Sequence, residues 1–424
     1  MAHQAHNIPW SVLTSNLGWR LSTPCQADAI NFHLRFNPDQ GKKLTYFAKA
    51  FVRNIHDHAA TERKKYPDKY DAPKSDDVVV GDDAARKIAP TLHRWREDPG
   101  DLRLWKYKTA VDKASVTVLC PHRDAANNRE SCQCAVPYVE RKMQAFLRGE
   151  PETICFQFFN DDYNADSFFN VELLKTLILH GEMDTVLRVC AHPGVSFENW
   201  WDVRECMCVT EDLGWNQIAR LALDAYLLMN IIYCFRETWD DPQPAWKDYR
   251  RTRSYQALVY NNTNRLQSDV IMHSHRQFFG IGHHQFTWKL PQTLGLVPYD
   301  KFLVCDEQVG YLPLPEEVSH IRWILCRKGL PVEIAESVLD FVSFDGQRRL
   351  PVPHHPFHPD NRDELGKYLT YCWQLIVRCE MMGRALVMDI DWEEEVTLSL
   401  KRVLGCGCRN LIEWDHEDGV RFNI

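Results

Sequence analysis

Long apolar runs are missing from this 424-residue chain, and their absence argues against a membrane-spanning protein. The most apolar long segment, 218–235, is interrupted by Arg220, Asp224 and Asn230. Those side chains are costly at a bilayer centre, so the segment predicts a buried helix. The opening MAHQAHNIPW has no basic start followed by an apolar stretch, so no secretory signal is expected. An excess of basic charge is missing as well. The net charge of −8 gives no whole-chain attraction to nucleic acid or an anionic membrane, even with a zinc-stabilised N-terminal region. No phosphate-binding glycine loop, nucleophile elbow, HExxH helix or kinase motif set is present, which removes the common enzyme classes. The pair of helical stretches around His180-Gly181 resembles one ankyrin-type unit but has no second copy, so a repeat array is not expected.

What is there describes an ordinary globular chain. Hydrophobic residues make up 45% and charged residues 25%, and 14 tryptophans supply bulk for sizeable cores. The 15 cysteines, an odd number without a secretory signal, predict reduced thiols and a cytoplasmic or nuclear protein.

Periodicity predicts an α+β fold that is predominantly helical. Leu44, Phe47, Ala48, Phe51, Val52 and Ile55 predict a helix over 42–57. The mixed-charge tract 61–83 reads as a solvated loop. Strands are expected over 114–120 and 153–159, around a helix over 137–147. Residues 168–235 read as mostly helical, and the breaker DDPQP at 240–244 suggests a boundary. A strand is possible at 302–305. Helices follow over 330–342, 361–383 and 391–404, the last two opened by Asn361/Glu364 and Asp391/Glu394 capping pairs, with Gly383 and Gly405 as stops. Alternation around 415–419 predicts a terminal hairpin. Three regions result: a mixed 1–160, a helical 161–245, and a C-terminal 246–424 of helices plus hairpin.

Four soft or borderline ligands, Cys120, His122, Cys132 and Cys134, lie at a strand end and a short loop. That set suits a closed tetrahedral zinc that staples a loop and does no chemistry. The alternative is free thiols, some buried and some on the surface, that hold no metal. Cys206/Cys208 and Cys406/Cys408 either complete a distant site or serve as small hydrophobes. His273 and His275, with His283 and His284 behind them, match the His-x-His that opens amidohydrolase sites, but only about 150 residues follow, too few for the barrel such a site requires. His354, His355 and His358 form a second histidine group, on a proline-rich connector that also reads as an ordered loop packing Phe357. Asp389 and Asp391 are a possible acid pair, although Asp391 already serves as an N-cap.

The segment 330–342 carries a Leu-Pro-x-Glu-Ile start in Leu330, Pro331, Glu333 and Ile334, with Val338 one turn on. This resembles the opening of an F-box, and Tyr371-Cys372-Trp373 resembles the cysteine–tryptophan end of that motif. The block 330–382 also looks like C-terminal regions of uncharacterised proteins of filamentous fungi. The F-box resemblance implies binding to a Skp-type adaptor through Leu330, Pro331, Ile334 and Val338. The leading expectation is a non-enzymatic interaction or scaffold protein, with the F-box-like adaptor as its specific form. The alternative is a metal-dependent hydrolase-type enzyme using a histidine cluster.

Elemental mass spectrometry of the purified chain tests the zinc site. A structural site predicts one zinc per chain, lost together with thermal stability in a Cys132→Ser/Cys134→Ser variant, and absence of metal leaves the free-thiol reading. Zinc that survives the double substitution moves the site to the histidines.

Overall fold

The computed structural model describes residues 7–22, 29–35, 39–97, 136, 138–148, 162–203, 214–240, 247–264, 269–282, 284–286, 290–308, 313, 315–341, 350–404, 413–415 and 419–421. In chain order come α1 (Trp10–Ser15), the antiparallel pair β1 (Leu17–Ser22) and β2 (Ala29–Leu34), α2 (Gln40–Arg63) and α3 (Asp82–Glu97). A short α4 (Met143–Phe146) precedes α5 (Asp162–His180), α6 (Met183–Cys190) and α7 (Asn216–Cys234). Next are α8 (Arg253–Thr263), α9 (Asp269–Phe279), β3 (His284–Phe286), α10 (Leu290–Thr293), α11 (Tyr299–Leu303) and β4 (Asp306–Gln308). The chain ends with α12 (Pro315–Arg327), α13 (Val332–Phe341), α14 (Arg362–Ala385), α15 (Trp392–Leu404) and the strands β5 (Glu413–Asp415) and β6 (Gly419–Arg421). The fold is predominantly helical, and β3 with β4 and β5 with β6 form two further antiparallel pairs.

The core is organised around α14, which lies against both α7 and α2. Leu365, Leu369, Cys372, Ile376 and Cys379 are buried along it, as their spacing predicts. Trp373 meets Phe51 of α2 at 5.5 Å and Tyr226 of α7 at 5.1 Å between ring centroids. Its indole N–H donates to His58 Nδ1 at 3.0 Å, so the large ring is buried with its polar atom satisfied.

The charges that interrupt the apolar segment of α7 have partners. Asp224 accepts from Arg402 Nε at 3.0 Å and from the Ser399 hydroxyl, both on α15. Glu380 accepts from Trp392 Nε1 at 2.7 Å and from Arg384, which joins α14 to α15. Arg378 reaches across to α5, donating to the carbonyls of Ile178 at 2.9 Å and Leu179 at 3.1 Å. A cation on the last carbonyls of a helix complements their partial negative charge. Gly181, at φ +77°, then turns the chain close under that guanidinium.

Several expectations need correction. In place of one helix over 137–147 there is a 3-10 turn, Tyr138–Arg141, then α4, because Lys142 is extended and bridges to Val78. The strand expected at 302–305 is the end of α11 and the turn after it. Gly383 does not stop α14: the helix continues to Ala385, and the bare Cα seats Ile390, whose Cδ1 lies 2.6 Å from where a Cβ would be. The side chain of Asn361 does not cap its helix; it pins the connector through Val352 and the His355 carbonyl. Asp391 does cap α15, accepting from Glu394 N at 2.9 Å. The strands expected over 114–120 and 153–159 lie outside the described residues.

α14 ends in a Schellman turn: Met388 N bonds the Gly383 carbonyl at 2.8 Å and Val387 N bonds that of Arg384 at 3.1 Å. The left-handed position, normally glycine, is Val387, at φ 59° and 93% exposed. A β-branched residue there is strained, and its exposed side chain gains little packing in return. Val387→Gly is expected to stabilise the protein by about 1 kcal/mol, which urea denaturation will read as a higher midpoint.

Candidate functional site

Helices α12 and α13 form a hairpin attached to the body of the molecule. α12 closes in a Schellman turn with Gly329 at φ +98° in the left-handed position, Gly329 N bonding Cys326 O at 3.0 Å and Leu330 N bonding Leu325 O at 3.2 Å. Pro331, with no N–H to satisfy, precedes α13. Arg322 of α12 donates to Glu336 of α13 at 3.1 Å and sets the pairing.

The hairpin is not built into the main core. Among the described side chains of α12 none is buried, although Val318, Ile321, Ile324 and Leu325 are half-buried. α13 lies against α12 and α3, and among its described side chains Ala335 and Leu339 are the buried ones. Neither belongs to the contiguous core cluster.

The stripe of Leu330, Ile334 and Val338 does share one face, but that face points outward. Ile334 is 50% and Val338 38% exposed, and Pro331 and Val332 are exposed beside them. Glu333 is exposed at the edge of that face, while Glu336 lies on the opposite side of the helix, bonded to Arg322. An exposed apolar strip rimmed by charge is the ordinary composition of a protein-docking surface. The neighbouring helix exposes Trp323, at 53%, on another side of the hairpin; the residue was missed because 315–327 was not recognised as a helix. The apolar residues at 318, 321, 324 and 325 carry the helical spacing that would have revealed it.

The histidine groups are placed differently from expectation. His273 and His275 lie on α9, not at a strand end, and residues two apart on a helix diverge by about 200°. His275 is fully buried, with Nδ1 2.7 Å from Tyr368 Oη, and Phe278 stacks on the same tyrosine at 3.8 Å. Burial lowers the His275 pKa to about 4, so the ring is a neutral core group. His355 packs beside Tyr249, and burial together with the Arg250 guanidinium lowers it to about 4. Arg250 is held by Asp248 through Nε at 2.9 Å and Nη2 at 2.6 Å. Phe357 packs edge-on against Tyr249, so the connector is an ordered, aromatic-packed loop. No group of three or more His, Cys, Asp or Glu among the described residues is arranged to hold a metal. His283, Cys120, His122, Cys132, Cys134 and the pairs Cys206/Cys208 and Cys406/Cys408 lie outside the described residues. Cys190, Cys372 and Cys379 are buried free thiols whose pKa values burial pushes up, which suits small hydrophobes.

Residues 11–409 match the family model described as gramillins biosynthetic cluster protein GRA5. The chain belongs to this family. It is a fungal family, and the match runs through the body of the molecule and the hairpin alike. No curated protein and no solved structure matches the chain. Among the described residues no helix is long and apolar enough to cross a membrane.

His275 gives this family member a pH dependence with a definite sign. Its folded pKa lies below the unfolded value of about 6.5, so the unfolded state binds the extra proton. The stabilisation is complete above pH ~6.5 and falls by up to ~1.4 kcal/mol per pH unit as pH drops toward about 4. A His275→Gln variant is expected to flatten that slope between denaturation series at about pH 7, above the ~4–6.5 window, and about pH 5, inside it. An unchanged slope means His275 does not titrate as described.

Proposed function

We propose that this family member is an interaction protein whose partner seats on the outward face of α13. The observation that supports this reading is the exposure of Ile334 and Val338 on a hairpin that stands outside the main core. Pro331 extends the strip at one end, and Leu330 adjoins it half-buried. A partner that covers the strip would bury the apolar side chains and meet Glu333 with a basic group at its rim. On this reading the chain serves its biosynthetic cluster by holding another protein in place.

The most specific form is an F-box-like adaptor, with Leu330, Pro331, Ile334 and Val338 against a Skp-type adaptor. The described histidines lend no support to the hydrolase alternative: His273 and His275 diverge, and His355 is packed as part of a loop.

The test uses the full chain and a purified Skp-type adaptor in size-exclusion chromatography and calorimetry. A one-to-one complex is expected. Ile334→Asp/Val338→Asp, whose side chains are exposed, is expected to keep the melting temperature and weaken binding by at least ~100-fold. Absence of a complex overturns the adaptor form, and binding indifferent to the double substitution overturns the face.

A further inference from the structure

The outer side of α12 carries a pattern of its own. Glu316, His320, Trp323 and Arg327 are all exposed. Their spacing of four, three and four residues places them within about 60° of one another on an α-helix. Val318, Arg322 and Leu325 lie on the opposite side, and the Arg322–Glu336 bond fixes that side toward α13. The stripe therefore faces away from α13. Four–three–four is also the spacing of the contact seam between two paired helices.

Read along the helix, the stripe is acid, imidazole, indole, guanidinium. Reversed, it is its own complement. If a second α12 is laid antiparallel about a two-fold axis near residues 321 and 322, Glu316 faces Arg327 and His320 faces Trp323. Each contact then occurs twice, as an isologous interface requires. Lys328, also exposed, reinforces the basic end opposite Glu316. The ring geometry suits this arrangement. His320 already stacks on Trp323 at 5.8 Å and 22°, and Arg327 sits 5.0 Å over the same indole. The two contacts hold the indole against the helix surface as a flat platform, yet leave it 53% exposed. An indole half in water gains from burial, and a second imidazole and indole are chemically suited to cover it.

We propose that this chain self-associates through α12, pairing antiparallel with α12 of a second copy. The seam is only 13 residues, about 20 Å long, so it lies at the small end of stable interfaces. The dimer is therefore concentration-dependent, with a Kd on the order of micromolar or weaker. It goes beyond the partner site on α13, because the stripe and the Ile334/Val338 face belong to different sides of the hairpin.

Sedimentation velocity of the full chain over a micromolar to sub-millimolar series tests it. A monomer–dimer equilibrium is expected. Trp323→Ser and Glu316→Lys should each shift it to monomer, the second by setting a lysine against Arg327. Glu316→Lys combined with Arg327→Glu restores opposite charges across the seam and should recover the dimer. All these positions are exposed, so unchanged melting curves are expected and serve as the folding control. Ile334→Asp/Val338→Asp should leave the dimer intact, which separates this proposal from the partner site. A monomer at every concentration overturns the proposal. So does a dimer indifferent to Trp323→Ser and the charge reversal, one that the charge swap fails to restore, or one lost only in the α13 variant.

Discussion

Trp373 sits where helices from the beginning, middle and end of the chain meet, and the packing of those distant segments depends on it. Phe51 approaches from α2 and Tyr226 from α7, and His58 accepts the indole N–H. Nearly all of the tryptophan surface is removed from water, together with the aromatic rings around it. Burial of this kind contributes about 25 cal/mol per Å² of apolar surface. Because the three helices are remote in sequence, the contact can form only after long loops have closed, so it depends on the whole chain being in place.

Around that apolar centre, charges are admitted only where they join helices. Asp224 alone in α7 would be an expensive buried carboxylate; with Arg402 and Ser399 it becomes a tie to α15. Glu380 does the same between α14 and α15, with Trp392 and Arg384 as donors. Arg378 supplies the last carbonyls of α5 with donors that its own backbone lacks. The polar groups of this core therefore specify which helix lies next to which.

Much of this was legible in the sequence because it is periodic. The stripes on α2 and α14, the break at His180-Gly181, the buried character of α7 and the Asp391 cap all rest on local spacing or local chemistry. What was not legible depended on distant partners. Asn361 has the sequence of a capping residue, but the connector reaches its amide first. Gly383 has the composition of a helix end, yet Ile390 needs the room. The apolar stripe of α13 was correctly identified but not its direction, since which side of a helix meets the body is set by α3 and α12. His-x-His suggested convergence only on a strand; on a helix the two rings part. α12 was overlooked although Val318, Ile321, Ile324 and Leu325 carry helical spacing, because its outer side is a mixture of acid, aromatic and base that resembles a solvated surface.

The hairpin's position outside the main core has an evolutionary consequence. Substitutions on α12 and α13 do not have to fit the Trp373 cluster, so they escape the packing constraint that holds α2, α7 and α14 nearly fixed. The Gly329 turn keeps the two helices together whatever residues their outer sides carry. The outer sides of the hairpin can therefore change over generations without disturbing the body that carries it.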